Sequence, residues 1–205
     1  MKIISFGDIH GDLNNLTLLK NELESADLVI VTGDLTNSNG RKEAERVIEE
    51  IMKYNENVLA QLGNMDQSEV NDYLTEKGIN LHRNGFIRDG VGIFGVGGSN
   101  ATPFNTPTEF SEEEIETFLL DSIDKIKDAT LKIMVPHMPP KNTKLDIISA
   151  GVHVGSQSVH DFILKHKPDI VLSGHIHEAR GSDTIENTLA FNAGMFREGG
   201  YVIIT

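Results

Sequence analysis

Residues 2–12 read KIISFGDIHGD. The apolar run Ile3-Ile4-Ser5-Phe6 stops at Gly7, and Asp8, His10 and Asp12 follow at once. The run is too short for an ordinary helix and is rich in β-branched and aromatic residues, so it reads as a buried strand. Asp8 and His10 are one residue apart. On an extended segment the side-chain repeat is two residues, so both point the same way. A strand that releases paired polar groups at its carboxyl end is a local signal. Its weight depends on whether other strands do the same.

They do. DLVIVTG (27–33) runs into Asp34, and NVLAQLG (57–63) into Asn64-Met65-Asp66. KIMVP (132–136) ends at His137, and DIVLSG (169–174) at His175-Ile176-His177. Helical patterns fill the gaps early in the chain, at 13–25, 41–54 and 68–78. This βαβα rhythm predicts an α/β fold with parallel strands and right-handed crossovers. In such folds, ligand sites gather outside the carboxyl ends of the strands.

The middle of the chain differs. FIRDGVGIFGVGGSN (86–100) reads as two strands around a glycine turn, and ATPFNTPTEF (101–110) as a long loop. Ser111 and Glu114 make a capping-box start for a helix over 111–128. A second long loop covers 138–155, a helix over 158–168 stops at Pro168, and TLAFNAG and YVIIT are closing strands. There is no repeat or dividing linker, so one domain over 1–205 is expected.

Bulk properties bound the chemistry. With no cysteine among 205 residues, any metal must be held by nitrogen and oxygen. A net charge of −13 repels phosphate backbones at long range, and no basic stripe with interleaved aromatics is present, so general nucleic-acid binding is not expected. Bound cations would reverse the field locally. The N-terminus lacks the pattern of a signal peptide, and no apolar run nears the roughly 18 residues that span a bilayer. A cytoplasmic protein without a membrane partner is the expectation.

A single Asp or His at a strand end is ordinarily a turn or capping residue. Its recurrence at every one of these strand ends is what points to metal. Asp8, His10, Asp34, Asn64, His137, His175 and His177 suit divalent first-row ions, and they suffice for two sites that share a carboxylate. Glycines before Asp34, Asn64 and His175 let the backbone approach closely.

The blocks DIHGD, GD (33–34), GNMD, PHMPP (136–140) and GHIHE (174–178), in that order, resemble the calcineurin-like metallophosphoesterases. The resemblance implies an α/β fold of four layers, a two-sheet β-sandwich flanked by α-helices, with a dinuclear site on one edge. It implies Asp8, His10 and His177 at a first metal, Asn64, His137 and His175 at a second, and Asp34 between them. It further implies hydrolysis of a phosphodiester or phosphomonoester by in-line attack of a metal-activated water. The expected cofactors are two divalent ions, manganese first, with iron, nickel, cobalt or zinc as alternatives. The expected partner is a small-molecule phosphoester, a nucleotide-like one being one option, and the natural substrate does not follow from the resemblance.

One position departs from the family. Many members carry a proton-donating histidine where this chain has Met65, which has no proton to give. The site is then active without that group, or another residue replaces it, or the chain is a binding module on the same fold, as a retromer subunit resembling it is. His153, in the 138–155 loop, is the replacement candidate, with an ordinary loop histidine as the alternative. Asp66 joins it as a catalytic candidate, although a supporting role is the plainer reading for both Asp66 and Asp12. Asn192 is expected to be structural, and His82, His160 and His166 to lie at the surface. Phe104 and Phe110 are expected to pack against the sandwich, the alternative being to cover a base or apolar leaving group. YVIIT, as an edge strand, offers a route to a homodimer.

Overall fold

Ile3–Phe6 is buried throughout, yet its side chains enter two different cores. Ile3 faces one side of a sheet and Ile4 and Phe6 the other, as the two-residue strand repeat requires. The same holds for Leu28 and Ile30 against Val29 and Val31. A strand buried on both faces needs cover on both, and that demand generates the layers.

The computed structural model describes residues 1–205. The chain begins with β1 (Ile3–Phe6), α1 (Lys20–Ser25), β2 (Leu28–Val31), α2 (Arg41–Met52), β3 (Val58–Ala60) and α3 (Ser68–Glu76). The hairpin β4 (Asn84–Arg88) and β5 (Val91–Val96) follows, then the short β6 (Ser99–Asn100) and β7 (Glu109–Phe110), then α4 (Glu112–Ile123). The chain closes with β8 (Leu131–Pro136), α5 (Gln157–His166), β9 (Ile170–Ser173), β10 (Gly181–Ile185), β11 (Thr188–Asn192) and β12 (Val202–Ile204).

One sheet has four strands in the order β12-β1-β2-β3, with β1, β2 and β3 parallel and β12 antiparallel at the edge. The other has six, in the order β10-β11-β9-β8-β5-β4, with a parallel centre and antiparallel edges. The sheets meet through Ile3, Leu28, Ile30, Ile93, Ile133 and Leu172. The outer face of the first sheet is covered by α1, α2 and α3, through residues such as Leu23, Val47, Ile48 and Val70. The outer face of the second is covered by α4 and α5, through Ile115, Leu119, Val159 and Phe162. This is the four-layer sandwich that the sequence predicts.

Local signals hold where they are self-contained. The Ser111–Glu114 capping box forms with both of its hydrogen bonds. The β4–β5 turn places Asp89 and Gly90 at φ 50° and 80°, which suits a tight hairpin. The helix expected over 13–25 is shorter, and only Lys20–Ser25 is α-helical. Upstream, the Asn14 N–H turns to the Asp12 carboxylate, and the Asn15 amide donates to the Phe196 and Arg197 carbonyls. These side chains compete with helical pairing and pin the segment to the distant C-terminal part.

The three histidines expected at the surface are half-buried instead. His82 stacks on Phe110 and meets Phe118 edge-on, and its Nδ1 accepts from the Gly97 N–H at 3.1 Å. Burial first, and then the neighbouring Arg83 charge, pushes its imidazole down to about 4. His166 stacks on Phe162 at 4.1 Å between ring centroids.

Candidate metal centre

The carboxyl ends of β1, β2 and β3 come together with those of β8 and β9, so both sheets contribute to one edge. Gly174 donates to the His137 carbonyl at 2.9 Å, and Asp8 donates to the Gly33 carbonyl at 3.0 Å, which joins neighbouring ligand segments. Asp8, His10, Asp34 and His175 all have left-handed backbones, with φ of 49°, 49°, 51° and 66°. Such φ values are uncommon outside glycine, and they gather where surrounding structure holds them in place.

The side chains converge. His10 Nε2 and His177 Nε2 face each other at 3.5 Å, and His177 Nε2 lies 3.0 Å from Asp8 Oδ1. His137 Nε2 lies 3.1 Å from Asn64 Oδ1 and 3.5 Å from Asp34 Oδ2, which is 3.7 Å from His10 Nε2. Asp8, His10 and His177 form one potential ligand cluster, and Asp8, Asp34 and His137 a second. The His175 ring sits 5.2 Å from that of His137, and its backbone N–H donates to both Asp8 oxygens at 3.1 Å. All seven residues picked from the sequence therefore lie at one centre.

Glycine permits the close approach. A Cβ at Gly63 would overlap the Asp34 carboxylate, and one at Gly174 would overlap that of Asp8. The rings are also oriented from behind. His137 Nδ1 meets the Thr32 carbonyl at 3.1 Å, which assigns the proton to Nδ1 and leaves Nε2 for the centre.

The electrostatics follow from this packing. Burial favours a neutral Asp34, but His137, His10 and the Met65 N–H outweigh it and hold the carboxyl at about 2. Burial likewise disfavours charge on His137, but Asp34, with Asp8 and Asp66 behind it, pushes the imidazole up to about 9. Burial, and then the His137 charge, pushes His175 down to about 4.

Asp66 does not reach the centre. It is fully buried, and its carboxylate accepts from the N–H groups of Leu35, Thr36 and Gly63 at 3.0, 2.8 and 2.8 Å and from the Thr36 hydroxyl at 2.8 Å. It stitches the Asp34 loop to the Asn64 loop. A catalytic role for Asp66 does not fit these surroundings, because no part of the carboxylate faces a cleft. Burial first, and then the Asp34 charge, raises its carboxyl to about 7. Met65 lies beside the ligands, and its N–H donates to Asp34 Oδ1 at 2.8 Å. At position 65 the backbone therefore serves the centre whatever the side chain.

His153 lines a cleft that also contains Asn64 and His175. Its Nδ1 sits 2.7 Å from buried Asp146, whose carboxylate also accepts from the Asn142, Thr143 and Gly155 N–H groups. The Asn192 amide donates to the Ile176 and Leu145 carbonyls at 2.9 and 3.1 Å, holding the His175–His177 segment against the second loop. The sequence reading passed over Gln61. It is fully buried, and its amide donates to the Thr32, Val96 and Val135 carbonyls, at the ends of β2, β5 and β8. A polar residue inside the apolar run NVLAQLG was the available clue.

A sequence model for the calcineurin-like phosphoesterases matches residues 1–179. The chain belongs to that family. MJ1162, an uncharacterised protein of Methanocaldococcus jannaschii, is 37% identical over 196 residues, covering 94% of this chain and 87% of that protein. Among solved structures, TT1561 of Thermus thermophilus superposes with a TM-score of 0.75 at 19% identity, over 99% of this chain and 93% of that one. An archaeal phosphodiesterase superposes with a TM-score of 0.52 at 18% identity, over 100% of this chain and 99% of that one. At such identities these two structures show a common fold.

Proposed function

We propose that this chain is a phosphoester hydrolase with a two-cation centre that favours phosphodiesters. The observation that carries this reading is the convergence of imidazole nitrogens and carboxylate oxygens from five strand ends. The donor set fits divalent cations. It is all nitrogen and oxygen, and His10 and His177 aim ring nitrogens at each other across 3.5 Å. Asp8, His10 and His177 would hold one ion and Asn64, His137 and His175 the other, with Asp34 between them. Manganese is the first candidate, with iron, nickel, cobalt or zinc as alternatives. Bound there, two divalent ions supply Lewis acidity and a readily ionised water for in-line displacement at phosphorus.

The protein's own groups shape the rest. Two divalent ions offset by the Asp8 and Asp34 carboxylates leave a net positive pocket that attracts a phosphate anion, although the whole chain carries −13. Met65 has no proton for the leaving oxygen, and His153 takes that task. Asp146 holds its Nδ1, leaving Nε2 free in the cleft shared with Asn64 and His175.

The test is hydrolysis of bis(p-nitrophenyl) phosphate and p-nitrophenyl phosphate by protein loaded with Mn²⁺. A chelated sample and Asp34→Asn run alongside. Metal-dependent turnover, faster on the diester and lost in Asp34→Asn, is expected. Bound metal with no turnover on either ester would overturn the reading.

A further inference from the structure

Of the nine phenylalanines, Phe104 alone is exposed, with 80% of its surface free. Its companion Phe110 packs as the sequence suggested, against His82 and Phe118 at 5.5 and 5.1 Å. Phe104 does not pack on the sandwich, which corrects the expectation for that residue. A singly exposed apolar side chain is ordinary on a protein surface. Two features set this one apart.

The first is a fixed loop. The Glu109 carboxylate accepts from the N–H and hydroxyl groups of both Thr102 and Thr106, at 2.6 to 3.2 Å, and closes the segment around Phe104. The Phe104 N–H itself donates to the Thr102 hydroxyl at 3.1 Å. Thr108 then ties the loop to the metal centre, donating its N–H to the Asn64 carbonyl at 3.0 Å and its hydroxyl to the Asp66 carbonyl at 2.6 Å. The ring is held out by a hydrogen-bonded frame.

The second is its place. Two clefts open at the centre, of about 450 and 540 Å³, and Phe104 lines both, together with Asn64 and His175. The first cleft is lined by His10, Asp34, Ser38, Thr106 and Met65. The second, larger cleft has Ala101, Pro103, Ile148 and Val154 beside Phe104, with Glu112, Lys141 and Glu178 also in its lining. A phosphate held beside Asn64 and His175 would border both clefts, since these residues line both. A phosphodiester carries one substituent on each side, whereas a monoester would leave one cleft without an occupant.

We infer that Phe104 is a specificity-determining platform: the substrate is a phosphodiester with one planar aromatic or heteroaromatic substituent, which stacks on this ring in the larger cleft. This rests on the phosphoesterase reading and names its substrate class. Stacking on an aromatic side chain accepts any flat ring, so recognition is of a class rather than of one base.

The experiment keeps the leaving group constant. Thymidine 5′-(2,2,2-trifluoroethyl) phosphate and methyl 2,2,2-trifluoroethyl phosphate, whose leaving group has no ring, are compared by ¹⁹F NMR with Mn²⁺-loaded wild-type protein, Phe104→Ala and Phe104→Trp. In parallel, thymidine 5′-monophosphate and inorganic phosphate are titrated calorimetrically into the same three proteins. The wild-type protein should prefer the thymidine ester in kcat/KM and bind the nucleotide more tightly than phosphate. Phe104→Ala should lose about tenfold on both thymidine ligands, through KM and Kd, and keep its rate on the methyl ester. Phe104→Trp should retain the preference. A thymidine-to-methyl ratio and a nucleotide affinity that are the same in wild type and Phe104→Ala would overturn the inference while leaving the phosphoesterase reading intact. Absence of turnover on either ester together with no nucleotide binding would overturn both.

Discussion

Replacing Asp66 with alanine removes the acceptor for three buried backbone N–H groups, those of Leu35, Thr36 and Gly63, and for the Thr36 hydroxyl. The hydroxyl has a second partner in the Asn39 carbonyl at 2.7 Å, so it is not stranded. The N–H groups are. A buried donor left without a partner costs about 1–3 kcal/mol. Relief from burying a carboxyl offsets part of that sum, and the net loss is expected to be about 3–5 kcal/mol. This is a large share of the roughly 5–15 kcal/mol that holds a domain folded. Urea unfolding of the metal-free proteins measures it. With m of about 2 kcal/mol/M, the midpoint should fall by roughly 1.5–2.5 M. Asp66→Asn keeps one acceptor oxygen, and it should cost about 1–2 kcal/mol and preserve measurable turnover. A loss below about 1 kcal/mol in Asp66→Ala would refute the argument that these donors depend on Asp66. Abolished turnover in Asp66→Asn at unchanged stability would return Asp66 to a chemical role.

Further consequences concern other parts of the centre and the core. Gly63→Ala drives a Cβ into the Asp34 carboxylate, so it should cost about 2 kcal/mol and lower the metal retained per chain after dialysis, measured by elemental analysis. His153→Gln should slow esters with poor leaving groups about 100-fold and p-nitrophenyl esters little, and a uniform fall across leaving groups would count against a proton-donating His153. The pH dependence of stability should carry a contribution from His82. Its folded value near 4 lies below the unfolded value, so the unfolded chain binds the proton that the folded chain refuses. Stability is therefore lost as pH falls from about 6.5 towards 4, by up to about 3 kcal/mol. His82→Phe should flatten urea midpoints over that window, and an unchanged slope would exclude His82 as the source.

Much of this fold is legible because strand signals are local. The run at 3–6 announces a strand buried on both faces, and the two-residue repeat then sorts Ile3 from Ile4 and Phe6 without reference to any distant residue. Ser111 and Glu114 close their capping box within one turn. The candidate ligands are legible for a related reason. Asp8, Asp34, Asn64, His137 and His175 each stand within four residues of a strand's carboxyl end, so the sheets themselves bring them to one edge.

The sequence did not tell what each polar group would be bonded to. Asp66 looks like a residue of the centre because it stands two positions from Asn64, yet its oxygens are taken by Leu35 and Thr36, some 30 positions away. His82 looks like a surface histidine until Phe110 and Phe118 close over it. Asn15 breaks a promising helix because the carbonyls at 196 and 197 arrive beside it. Phe104 has the composition of a core residue and is left in solvent by a loop that Glu109 closes. By itself, then, the sequence determined the strands and the candidate residues at the centre, since these depend on periodicity and on position relative to a strand end, and the order of its motifs implied the layers through the family resemblance. The tertiary structure decided which of those residues orient others, which are merely buried and which line an open cleft. That choice depends on hydrogen-bond partners supplied from remote parts of the chain, and only folding brings them within reach.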